Sequence, residues 1–329
     1  MKKRLLLSLG LLLIALGMFS SYRALAQPDA PAPSAHAPDA EPGAKSKGHA
    51  KAAPQKIRVG ILLINLGKLD LGAGTFSAEF YAAFTCEDKT HDCNPDFDIL
   101  DGKITSKEVV DEDSGTKTFR VKAELQADID LAEFPFDHQE LSIDLIDRTG
   151  EALLDVDKKE SGVDQDVKLA GWLIDGFEVK ARTHKYVEVN EELHIVSLDV
   201  TVSRARFPAF MKQFFPVLII MLISLFGLFI APKQIANRIA LSTAGLLSAV
   251  MFHLSSTSAL PPISYLTRVD RVLFTTYGLL LICATSAVLL ARFDDLKQDK
   301  ATAALHKYSM RIVPVIVVVA YALVFLRVF

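Results

Sequence analysis

The feature that most constrains this chain is a set of four apolar stretches in its last third, 207–230, 236–260, 272–292 and 310–329. Each is close to the ~20 residues that cross about 30 Å of hydrocarbon. Lipid offers no partners to unpaired backbone groups, so a chain with such stretches must fold part of itself as membrane helices. Hydrophobic residues make up 50% of the sequence, and a mean hydropathy of +0.28 suits a protein partly embedded in a bilayer. The second stretch differs from the other three, because Ser242, Thr243, Ser248, His253, Ser255, Ser256, Thr257 and Ser258 interrupt its apolar residues. That is too many polar groups for a helix with lipid on every side, and it points to a helix that lines a pore.

The remainder of the chain divides by texture. Lys2, Lys3 and Arg4 precede an apolar run at 5–16, and Ala24-Leu25-Ala26 supplies a small-x-small cleavage site, so 1–26 is expected to be a secretory signal peptide. Residues 27–55 are rich in Pro, Ala, Asp and Lys and hold almost nothing large and apolar. A disordered tether is expected there, since so little burial cannot offset the entropy of ordering. From 56 to 206 the sequence alternates apolar and polar residues in short segments, 59–65, 75–84, 118–125, 140–145 and 195–203, separated by Gly, Asp, Asn and Lys clusters. Such alternation buries one face and wets the other, which predicts an antiparallel all-β sandwich followed by a four-helix transmembrane bundle over 207–329. The net charge of −3 names no partner, and without a basic run nucleic acid is excluded. The chain has no Gly-rich phosphate loop, nucleophile elbow or His-Glu-x-x-His, so neither an enzyme nor a cofactor is expected.

A constellation of residues sits around the expected border between sandwich and helices. Phe134-Pro135-Phe136-Asp137-His138-Gln139 precedes a strand, as does Gly171-Trp172; Arg204 stands just ahead of the first helix and Pro216 inside it. Arg238 opens the second helix, Leu260-Pro261 closes it, and Ser264-Tyr265 is followed by Asp270. In this order, over 57–329, these residues resemble the pentameric ligand-gated ion channels, the superfamily of nicotinic, glycine and GABA receptors with its bacterial members. The first motif is similar to the family's FPFDxQ signature. In animal receptors two cysteines bracket that loop, whereas the matching positions here are Ala127 and Leu141, which points to a bacterial branch without the disulfide.

The resemblance implies a homopentamer in the bacterial inner membrane, each subunit packed with four identical ones, with the sandwich in the periplasm and ions permeating an axial pore. The loop charges agree with that orientation. Lys233, Arg238, Arg292, Lys297, Lys300, Lys307 and Arg311 would lie inside, against Arg268, Arg271 and Arg327 outside. The family register from Arg238 to Pro261 sets the pore face as Ala236, Ala240, Ala244, Leu247, Met251, Leu254 and Ser258, steps of three or four along a helix. Leu247 matches the family's hydrophobic gate, and Met251 and Leu254 would extend the constriction. No carboxylate stands at the inner mouth, where Lys233 and Arg238 are the nearby charges, so the expectation leans to anions. For coupling between the domains, Asp137 matches the acid that pairs with Arg204. Asp70, on the turn between the first two strands, is a third member near Pro261, with Phe134, Pro135 and Phe136 completing the junction.

The agonist is expected to be a small molecule, a proton or a divalent ion. The stretch from Cys86 to Phe134 is too short for the strand and loop that supply the family's first agonist-binding aromatic, which leaves Phe177, His184 and Tyr186 as candidate contacts. Cys86 and Cys93 lie in the exported domain, where a short-loop disulfide is expected. His91 between them gives Cys-x4-His-x-Cys, which is not a zinc spacing, and no metal site is expected. Cys283 is expected to act as a small apolar residue, and His253 on the pore helix is of a type that titrates near neutrality. A second reading, a non-conducting membrane-anchored envelope sensor or scaffold of the same fold, draws on the short sandwich and the apolar Ala240 and Ala244.

Overall fold

In a computed structural model, residues 55–328 are described apart from 87–94, 114, 149–151, 187–190 and 259. The expected signal peptide and all of the expected tether before Gln55 lie outside these residues, as do His91 and Cys93. Ten strands come first: β1 Gln55–Leu66, β2 Thr75–Cys86, β3 Phe97–Ile99, β4 Gly102–Asp113, β5 Thr116–Gln126, β6 His138–Asp147, β7 Ala152–Val156, β8 Gly162–Val163, β9 Trp172–Tyr186 and β10 Glu191–Arg204. They form two sheets, one ordered β4-β5-β2-β1-β7 with β8 also on β1, the other β3-β6-β10-β9.

Period-two patterning explains why these segments pair. Along β5, Phe119, Val121, Ala123 and Leu125 are buried while Arg120, Lys122 and Glu124 between them are exposed. Those four share one core with Phe80 and Phe84 of β2, Ile143 and Leu145 of β6, and Leu198 and Val200 of β10. Removing a large side chain of this kind from water stabilises the fold by about 1.5–3 kcal/mol. The pairing departs from the antiparallel expectation at one edge, where β7 and β8 run parallel to β1. The chain reaches β7 from β6 in the opposite sheet, so no tight hairpin imposes an antiparallel neighbour. β4 and β9, both edge strands, are exposed along most of their length, which is why alternation does not announce them.

Five helices follow: α1 Arg206–Gln213, α2 Phe215–Phe229, α3 Ile235–Thr257, α4 Arg268–Asp295 and α5 Asp299–Val328. Among the described residues, four stretches of helix are long and apolar enough to cross a membrane, 206–229 counting as one. α4 and α5 begin earlier than the apolar stretches suggest. Thr267 caps α4 through a reciprocal capping box with Asp270, and the polar segment from Asp299 to Ser309 continues α5 as helix.

Candidate functional site

α3 is two-faced. Arg238, Ser242, Gly245 and Ala249 are buried against the rest of the bundle. The fit there is close enough that a Cβ on Gly245 would stand 2.1 Å from Ser224 Oγ on α2. On the other side, Ala236, Ala240, Ala244, Leu247, Met251, Leu254 and Ser258 are all exposed. Leu247, Met251 and Leu254 keep 64%, 58% and 62% of their surface uncovered, a continuous apolar stripe that nothing among the described residues covers. The hydroxyls sit elsewhere than on the middle of this stripe. Thr243 Oγ1 donates to the Ile239 and Ala240 carbonyls at 3.0 and 3.1 Å, and Ser256, Thr257 and Ser258 donate to carbonyls three or four residues back.

Arg238 does not face that stripe. It is 2% exposed, its Nε donates to the Gly227 carbonyl at 3.0 Å and its Nη2 to the Leu228 carbonyl, so it caps the C-terminal end of α2. Nη2 also lies 3.1 Å from His306 Nδ1 on α5. Lys233, in the α2–α3 connection, is exposed. One turn from the other end of α3, His253 places Nε2 3.0 Å from Asp270 Oδ1 and Nδ1 3.0 Å from the Tyr277 hydroxyl, both on α4. Asp270 Oδ2 accepts from the Thr267 amide and hydroxyl, each at 2.8 Å, so this carboxylate holds α3 and the cap of α4 together. Phe274 packs edge-on to the imidazole.

The junction gathers most of the expected coupling residues. Arg204, the last residue of β10, donates from Nε to Asp137 Oδ1 at 2.7 Å, and its guanidinium lies over the Trp172 and Phe134 rings, 4.3 and 5.1 Å from their centroids. Asp137 is 1% exposed, and its Oδ2 accepts from Gln139 Nε2 at 2.8 Å. A buried carboxylate in two such bonds is held rigidly. Phe134, Phe136 and Leu131 belong to the apolar cluster of the helices, with Phe136 and Phe214 centroids 5.7 Å apart, so the loop after β5 is built into the membrane domain. Pro135 is buried between the two phenylalanines, and Pro261 is half-buried.

Asp70 stands apart from this pair. Its carboxylate accepts from the Ala73 amide at 3.2 Å and pairs with Lys68 at 3.5 Å. The amide bond and the lysine together hold its carboxyl below the usual range. Residues not assigned to coupling from sequence complete the junction instead. The Tyr265 hydroxyl accepts from the Leu131 amide at 2.9 Å and donates to Asp130 at 3.3 Å, and Arg268 pairs with Glu133 at 2.5 Å. Tyr265 stood in the family motif; the pairing of Glu133 with Arg268 carries no signal in sequence, because only the fold brings them together.

The proposed ligand residues all lie on β9. Phe177 and His184 are exposed on β9, and the Tyr186 side chain lies outside the described residues. A cleft of ≈ 400 Å³ lies on the other sheet, lined by Leu62, Tyr81, Ala83, Thr118, Lys159, Glu160 and Ser161. Gly60 permits its wall, since a Cβ there would meet Glu160 Cβ at 2.4 Å. Cys86 is buried at the end of β2, while Cys93 lies outside the described residues. Cys283 is buried in α4 as a free thiol. No family model matches the chain. Over 302 residues, 81% of this chain and 81% of the relative, it is 24% identical to a proton-gated ion channel of Gloeobacter violaceus.

Proposed function

We propose that the chain is a subunit of a pentameric ligand-gated ion channel whose α3 lines an axial pore. Its similarity to an ion channel and its sheet-rich domain followed by four apolar helices support a multi-pass channel protein. The observation that carries the pore assignment is the exposed stripe from Ala236 to Ser258, which leaves the bundle uncovered on the side opposite Arg238, Ser242, Gly245 and Ala249. Five copies around an axis would face those stripes inward, with Leu247, Met251 and Leu254 as stacked apolar rings that close by dewetting. Protons are the agonist to test first, since the relative is proton-gated and His253, Asp270 and Tyr277 form a hydrogen-bonded cluster between α3 and α4. With Arg238 buried, Lys233 is the residue that would select anions. The sandwich faces the periplasm in this reading, with the protein in the bacterial inner membrane, and the loop charges support that orientation.

The test is planar-bilayer recording of the purified protein in asymmetric salt with stepped acidification, alongside Leu247→Ser. Acid-evoked current in the wild type, and leak at neutral pH in the variant, are expected. Silence in both from folded pentamers would instead favour a non-conducting scaffold.

A further inference from the structure

The open edge of the sandwich carries an arrangement that the channel reading does not use. Phe84, Phe97 and Phe119 form an aromatic cluster, with centroids 4.6 Å apart for Phe84 and Phe97, 5.9 Å for Phe84 and Phe119, and 5.2 Å for Phe97 and Phe119. All three are buried, yet the strand that brings Phe97, β3, is only 3 residues long. The cluster is therefore roofed from the side by a charged group: Lys107 Nζ lies 3.7 Å from the Phe97 centroid and 4.9 Å from that of Phe119. β4 is shaped to deliver it. The register slips between Ile104 and Ser106 and again between Val109 and Asp111, and between those slips Lys107 pairs with Val121, whose side chain is in the core. Bulges on both sides of one residue are a device for aiming a side chain.

We propose that Phe97 and Phe119 form a cation cage that the chain fills with its own Lys107, and that takes a small primary or quaternary alkylammonium ion when Lys107 is removed. Ring faces attract a cation through their quadrupoles. The charged groups around the cage are Asp96 and Asp98, which favour a cation, and Lys117 and Arg148, which oppose it. Arg148 is engaged by Asp96 at 3.8 Å and Asp98 at 4.0 Å, and Lys117 by Glu112 at 3.1 Å, which softens their repulsion. Burial pulls the Lys107 ammonium below the usual lysine range and the two aspartates push the other way. In the intact chain the tethered amine holds β4 against β3 and outcompetes free amines.

Thermal unfolding of the full chain in nanodiscs tests this with n-propylammonium and tetramethylammonium as probes. Lys107→Ala is expected to melt lower than wild type and to recover with either probe at millimolar concentration. Wild type and Lys107→Met should not respond, and Phe97→Leu added to Lys107→Ala should abolish the recovery. A folded Lys107→Ala that ignores both probes overturns the proposal. Should that variant not fold, pulse acetylation of the wild type decides. Both Lys107 and Lys103 are exposed along β4, so only the rings set them apart: Lys107 should react roughly tenfold more slowly than Lys103, as cation–π attraction of ordinary strength implies, and Phe97→Leu should erase the difference. Equal rates for the two lysines in the wild type would sink the cage.

Discussion

Asp137 carries more of the junction than any other single residue. Its carboxylate is buried, its two oxygens are divided between Arg204 and Gln139, and Gln139 in turn donates to the Asp130 carbonyl at 2.7 Å and accepts from the Asp130 amide at 3.1 Å. Removing the acid leaves a guanidinium that is only partly exposed, and a glutamine with one donor unpaired. Asp137→Ala is therefore expected to cost about 3 kcal/mol, the scale of a buried pair broken on one side. Chemical unfolding of the full protein measures this, and a double variant with Arg204→Ala should cost less than the two single changes added together. Additive losses would mean that the pair contributes little beyond packing. Asp137 and Arg204 were legible in sequence because a motif fixes both positions. Asp70 was not: its place on the β1–β2 turn suggested reach toward the helices, but the Ala73 amide and Lys68 satisfy it locally. Short acidic side chains at turns often bond their own backbone in this way.

At the level of elements, what could be read from sequence followed how strongly burial constrained each segment. β2, β5 and β10 alternate because one face meets the core, whereas β4, with the sequence GKITSKEVVDED, has no such face to declare. The polar start of α5 was invisible for a related reason, since hydropathy marks the part of a helix that meets lipid and not the turns beyond it. The α3 stripe was legible as spacing, but the burial of Arg238 was not, because capping the end of α2 requires the α2–α3 turn to fold back. Gly245 makes the same packing testable. Any Cβ meets Ser224 Oγ, and a larger group would also press on Leu280 Cδ2, 3.3 Å from that Cβ position. Gly245→Val should separate α3 from α2 and destabilise the bundle by roughly 1–3 kcal/mol, the range for overpacking a close-fitted core. Melting of the membrane domain followed by Trp-independent far-ultraviolet circular dichroism would register it, and an unchanged melting temperature would show that the helices adapt without strain.

At the scale of the whole molecule, the two domains are joined by more than chain connectivity. Phe134 and Phe136 sit in the helical core, Tyr265 and Arg268 reach back to the loop after β5, and Arg204 joins β10 to α1 while bound to Asp137. These contacts run unbroken from the sandwich to the α3–α4 connection, and through Asp270 and His253 to α3 itself. In the proposed pentamer, whatever passes the pore would meet its inner mouth at the α2–α3 turn. There Lys233 is exposed while Arg238 is committed to the Gly227 and Leu228 carbonyls. A ring of five exposed ammonium groups would favour anions, and its sign can be reversed without touching the buried arginine. Lys233→Glu is accordingly expected to move the reversal potential in asymmetric sodium chloride from the chloride side toward the sodium side, with single-channel current still observed. The same shift should weaken as ionic strength rises, because exposed charges are screened within about 10 Å at 0.1 M salt. A reversal potential that ignores the substitution would remove Lys233 from the permeation path and leave the apolar rings of Leu247, Met251 and Leu254, which discriminate by hydration and not by sign, as the controlling feature.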